Sequence, residues 1–115
     1  MASRSDLVRK ILKALGVYQA GQELPPEDYR AVDQELPTRL LAMSKADVYT
    51  ATVTNIPDEA VDAIADYLAE KYSKTFGITG EELIQLRADA DRAEASLRYL
   101  RTNKPTYARV RGEYF

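Results

Sequence analysis

Residues 56–78, IPDEAVDAIADYLAEKYSKTFGI, constrain the fold more tightly than any other stretch of the chain. Val61, Ile64, Ala65, Leu68, Tyr72 and Phe76 recur at steps of three and four, the signature of one buried helix face. Asp62, Asp66, Glu70 and Lys74 fall on the other side, with Glu70 four residues before Lys74. Pro57 suits a first turn, where its missing N–H is not needed, and Asp58 and Glu59 suit the positive end of the helix dipole. Gly77 can take the left-handed conformation that ends a helix. The pattern predicts a central helix of about five turns over this stretch.

Flanking segments carry the same periodicity. Ser5 is a candidate cap for a helix over residues 6–15, with Leu7, Val8, Ile11, Leu12 and Leu15 inside, Arg9, Lys10 and Lys13 outside, and Gly16 as its stop. A connector with Gly21 and the Pro25–Pro26 pair follows. Pro26 then opens a second helix in which Tyr29, Val32, Leu36, Leu40 and Met43 stay in phase. Pro37 removes one backbone hydrogen bond from that run, so a single kinked helix is expected. Further on, Thr79 and Glu82 have capping-box spacing. Leu83, Leu86, Ala90, Ala93, Leu97 and Leu100 continue as a coiled-coil-like seam, with Arg87–Asp91 and Glu94–Arg98 four apart on the wet side. The seam pairs either with the central helix of the same domain or with a neighbouring subunit.

Two segments break the helical pattern. Residues 47–54, DVYTATVT, are rich in Val, Thr and Tyr and read as extended. A lone extended segment needs a partner for its backbone, in its own chain or in another, so Val48, Tyr49, Thr50, Thr52 and Val53 are candidates for an inter-subunit arm. After Asn103, residues 104–115, KPTYARVRGEYF, have no helical period and too few apolar residues for a core. Their three cations against one acid give about +2, which leaves about −4 of the chain's −2 for the body. Fully extended, a dozen residues reach on the order of 40 Å, against about 27 Å for a compact body of this length. A basic, aromatic tail of this reach suits a partner surface, with Tyr107, Arg109, Val110, Arg111, Tyr114 and Phe115 as the contact residues. The bland alternative is a disordered chain end. The fold class expected is all-α: a small four-helix domain over residues 1–103 with one extended arm, and an extended tail over 104–115.

With 115 residues the chain is long enough for one compact domain. It contains no cysteine and no histidine. Disulfides, thiolate metal sites, Ser-His and Cys-His machinery and the commonest zinc ligand are therefore all missing. The close carboxylates Glu81–Glu82, Asp89–Asp91 and Asp62–Asp66 fall at a helix start or on a solvated stripe, where carboxylates keep ordinary proton affinity. No glycine-rich phosphate cradle and no calcium loop is present. The chain is read as a non-enzyme with no catalytic residues, no cofactor and no metal. No apolar run approaches the roughly 20 residues that span a bilayer, and residues 1–10 lack the apolar core of a secretory signal, so a protein used without export or membrane insertion is expected. Arg4, Arg9, Lys10 and Lys13 on the first helix, with Arg109 and Arg111, could meet phosphates, which keeps a small DNA-binding regulatory protein as the alternative. A helix-turn-helix fits poorly, because the connector is long and the next helix opens with Glu27 and Asp28.

The order of landmarks resembles a known family. A short helix ending Leu15-Gly16-Val17 with Ala20-Gly21 just after, then the extended segment and residues 56–78, is similar to the head-to-tail adaptor proteins of tailed bacteriophages. These are also called head completion or connector proteins or tail accessory factors. The resemblance runs in pattern from residue 7 to residue 100. It implies a structural protein of the virion neck, assembled in the host cytoplasm as a ring, expected to be dodecameric. The ring joins the portal protein to a tail or nozzle protein, and DNA passes through its channel without sequence-specific binding. In such adaptors the C-terminal segment commonly reaches along the portal, the part that residues 104–115 would play here.

Overall fold

A computed structural model of the chain describes residues 2–18, 21, 23 and 25–103. Among these residues four helices form the domain: α1 (Arg4–Leu15), α2 (Pro26–Lys45), α3 (Val61–Lys71) and α4 (Gly80–Asn103). The fold is all-α, with no strands among the described residues. α3 packs on both α1 and α4, and α2 packs on α1.

The expected stripe of α1 is buried in full: Leu7, Val8, Ile11, Leu12 and Leu15. Its cap is Ser3 rather than Ser5. The Ser3 hydroxyl accepts from the Asp6 amide at 3.0 Å, while the Asp6 carboxylate accepts from the Ser3 amide at 3.3 Å. Two otherwise orphaned amides are satisfied reciprocally, which starts the helix two residues earlier than expected. These bonds favour the ionised form and hold the Asp6 carboxyl below its ordinary range. Gly16, at φ +82°, ends the helix, with the Val17 amide donating back to the Leu12 carbonyl at 3.2 Å.

α2 is one continuous helix through Pro37, as its phase requires. A proline at position 37 cannot donate to the carbonyl of residue 33. That carbonyl is taken instead by Arg4 of α1, whose Nη2 donates to Asp33 O at 2.9 Å while Nε meets the Asp33 carboxylate at 2.6 Å. The break in α2 is thereby turned into an anchor for α1.

The central helix is shorter than its periodicity suggests. α3 covers 11 residues rather than five turns. Pro57, Asp58 and Glu59 lie in a preceding turn, closed by the Ala60 amide on the Pro57 carbonyl at 3.1 Å. At the other end the chain tightens into successive turns over residues 72–77, which keep Tyr72 and Ser73 buried. Such turns repeat nearly as a helix does, so Tyr72 and Phe76 stay in phase with α3 without belonging to it. Glu70 meets Lys71 at 3.4 Å, not the expected Lys74, and Asp62 reaches across to Lys10 of α1 at 2.8 Å.

α4 runs back along α3, its Asp89, Arg92, Ala93 and Ser96 lining a shallow cleft with Ala63 and Asp66. Leu86, Ala90, Ala93 and Leu97 are buried, so the seam is satisfied inside the domain. Glu94 and Arg98 pair at 3.2 Å as expected, and Asp89 pairs with Arg92 at 3.6 Å. At about 36 Å, α4 helps stretch the molecule to 53 × 28 × 27 Å, longer than the compact estimate.

Candidate interaction surface

Residues 47–54 do not project as an arm. Val48, Tyr49 and Ala51 are buried in the core shared with α1, α2 and α3; Val53 is half-buried, and Thr50 and Thr52 are exposed. The expected extended run is lost, because the segment closes on itself in a tight turn. The Asn55 amide donates to the Thr52 carbonyl at 3.0 Å, and the Thr52 amide to the Asn55 carbonyl at 3.3 Å. Burying Val48 and Tyr49 against the domain removes apolar area that a projecting arm would leave in water. Burial also raises the Tyr49 hydroxyl above its ordinary proton affinity, with a smaller push from Glu59. Of the five arm candidates, only Thr50, Thr52 and Val53 remain at the surface.

The segment is fixed at its start by α2 and α4 together. α2 ends in a left-handed turn at Asp47, φ +64°, with the Val48 amide donating to Met43 O at 3.2 Å and the Asp47 amide to Ser44 O at 3.0 Å. Aspartate tolerates this conformation better than most residues. The Asp47 carbonyl accepts from Arg98 Nη1 at 3.1 Å and from Arg101, which also meets the Asp47 carboxylate. The last turns of α4 therefore sit on the first residue of the segment.

Beside this junction lies an apolar groove of about 440 Å³, lined by Pro37, Leu40, Leu41, Ser44 and residues 50–53. Leu41 on its rim is 55% exposed. Among the described residues no charged side chain lines it. The Ser44 and Thr50 hydroxyls are 3.3 Å apart and satisfy each other.

A second apolar surface lies on α4. Ile84 and Tyr99 are 67% and 65% exposed, a large exposure for side chains of this size. At 100° per residue they fall within about 60° of one another, with exposed Ala88, Asp91 and Ala95 on the same face between them, so the stripe is apolar at its two ends and carries one acid in its middle. This stripe is opposite the buried seam and extends about 22 Å.

The sequence-predicted partner residues Tyr107, Arg109, Val110, Arg111, Tyr114 and Phe115 lie outside the described residues. Among the described residues, no group of three or more acidic side chains stands where it could hold a metal ion. No helix among them is long and apolar enough to cross a membrane. Burial, with Asp89 and Asp62 nearby, raises the Asp66 carboxyl above its ordinary range despite the opposing charge of Arg92. The sequence reading of α4 missed this stripe, whose only signal was an isoleucine and a tyrosine out of phase with the seam; it missed the groove too, since its walls come from α2 and the segment after it. Neither a known protein family nor a characterised protein or solved structure matches this chain.

Proposed function

We propose that this chain is a structural subunit of a head-to-tail adaptor, a ring in the virion neck that binds portal protein on one side and a tail or nozzle protein on the other. The observation that carries the reading is the outer stripe of α4. One face of this helix completes the domain core, while Ile84 and Tyr99 mark a second apolar face with no role in that core. Exposed apolar side chains in register along a rigid helix suit docking to another protein. A closed ring is built from heterologous contacts, each copy offering one patch forward and a different one backward. The α4 stripe supplies one such patch. The sequence resemblance supplies the partners, and residues 104–115 supply a basic, aromatic segment for the portal. Weak individual contacts suffice in a ring, because each bound neighbour raises the effective concentration of the next. The acidic body has no net attraction for the DNA that passes through the channel.

Mass photometry of the purified chain, alone and with portal protein from the same phage, tests the reading. A single large particle of fixed stoichiometry, lost on removal of residues 104–115, is the expected result. A chain that ignores portal and instead binds duplex DNA with steep salt dependence would overturn it in favour of a DNA-binding regulator.

A further inference from the structure

Two apolar features face outward on different elements: the groove beside α2, which is concave, and the stripe on α4, which is a ridge on a rigid helix. Each carries a charge in a matching place. Lys45 follows Leu41 by four residues, so it stands on the same side of α2, one turn beyond the groove rim. Asp91 follows Ile84 by seven residues and shares its face of α4. Both Lys45 and Asp91 are exposed, and among the described residues neither has an ion-pair partner. The Arg87–Asp91 pair that the spacing allows is not formed.

The spans agree as well. Along α4, Asp91 is about 10 Å from Ile84; along α2, Lys45 is about 6 Å from Leu41, and its flexible four-carbon stem covers the difference. Ala88, between Ile84 and Asp91, is small enough to let a facing helix come close. Pairing of like with like fits less well. A stripe laid antiparallel on itself across a two-fold axis would set Asp91, at its midpoint, against its own counterpart, and opposed like charges are costly. Two grooves face to face would leave both hollows unfilled.

We propose that the α4 stripe of one copy docks on the α2 groove of the next, with Ile84 entering the groove beside Leu41 and Asp91 pairing with Lys45. Such a contact is heterologous: each copy keeps one unused half, so association continues until the chain of copies closes on itself. The pairing deepens the ring contact proposed above by naming its second patch, and it rests on the two surfaces rather than on the sequence resemblance.

Sedimentation velocity of the full-length chain, without portal, tests it. The parent is expected to associate beyond the dimer as concentration rises. Leu41→Asp, at the groove rim, and Ile84→Asp, on the stripe, both change exposed side chains. Each should weaken association at least about tenfold with the circular dichroism unchanged. Mixed in equal amounts, the two variants should form a one-to-one dimer and nothing larger, because only one intact groove and one intact stripe remain to meet. Lys45→Asp and Asp91→Lys should each weaken association by roughly fivefold, and the double exchange should restore it. A parent that stays monomeric, a blocked variant that associates like the parent, a mixture that stays monomeric, or a charge exchange that restores nothing would overturn the proposal. Portal is absent from every sample, so a chain that associates in this way yet ignores portal would sink the adaptor reading and leave the pairing standing.

Discussion

Tyr72 does at the residue scale what a larger protein would leave to several side chains. Its ring is fully buried, its hydroxyl donates to the Val32 carbonyl of α2 at 2.9 Å, and the Arg39 guanidinium lies 5.2 Å from the ring centroid. Burial drives the hydroxyl far above the ordinary phenol range, despite the opposing charge of Arg39. Tyr72→Phe keeps the packing and loses one hydrogen bond to a carbonyl that α2 already satisfies. The expected cost is about 1 kcal/mol, read as a lower urea midpoint at constant slope. Asp66 behaves in the opposite sense. Its folded carboxyl binds a proton more tightly than the unfolded one, because of burial and the neighbouring Asp89 and Asp62. The folded state therefore carries more protons, and this residue's contribution to stability falls as pH rises above the ordinary 3.8. Asp66→Asn is expected to stabilise the protein at neutral pH by no more than about 1 kcal/mol, since the group is only partly withdrawn from solvent. The gain should vanish near pH 3. Urea titrations of both proteins across that range would show the gap closing on acidification; a gap that widens would contradict the assignment.

Among the elements, α1 and α2 are coupled by a defect. Pro37 leaves the Asp33 carbonyl without its helical donor, and Arg4 supplies the missing bond from another helix. Arg4→Ala is expected to cost roughly 1–2 kcal/mol, a range suited to a partly exposed charged hydrogen bond. In a Pro37→Ala background the restored backbone amide can donate to the same carbonyl, so the loss of Arg4 should cost about 1 kcal/mol less. A double-mutant cycle by chemical denaturation measures this coupling, and strict additivity would show that Arg4 acts only through the Asp33 carboxylate. The α1–α2 junction was only half legible in the sequence. The proline and its in-phase flanks were visible, whereas the donor that repairs the break sits 29 residues away. The start of α1 was legible and misplaced by two residues, since Ser3 and Asp6 carry the capping-box spacing that Ser5 lacks.

Over the described residues the domain is elongated and carries an exposed apolar stripe and an apolar groove on different elements. Ile84→Glu combined with Tyr99→Glu changes two exposed positions and should leave thermal stability within about 0.5 kcal/mol of the parent. If the α4 stripe is a subunit contact, the pair weakens assembly by at least about tenfold, close to 1.4 kcal/mol. Sedimentation velocity across a concentration series, together with mass photometry in the presence of portal, reads that loss. Unchanged assembly would move the subunit contact to another face.

Periodicity alone was enough to determine four amphipathic segments, their buried faces and the all-α class, because an apolar stripe at helical spacing has one economical way to leave water. The absence of cysteine and histidine was equally plain from the chain itself. Tertiary structure decided the rest. It shortened the central helix, since turns over residues 72–77 keep the same phase while bringing Tyr72 to Val32. It turned a candidate projecting arm into part of the core, because Val48 and Tyr49 gain more from burial than a strand in solvent could offer them. It also built the groove, whose walls come from α2 and from the segment that follows it, with the end of α4 tied alongside by Arg98 and Arg101. Local spacing cannot encode such a surface, because it arises only when residues far apart in the chain are packed side by side.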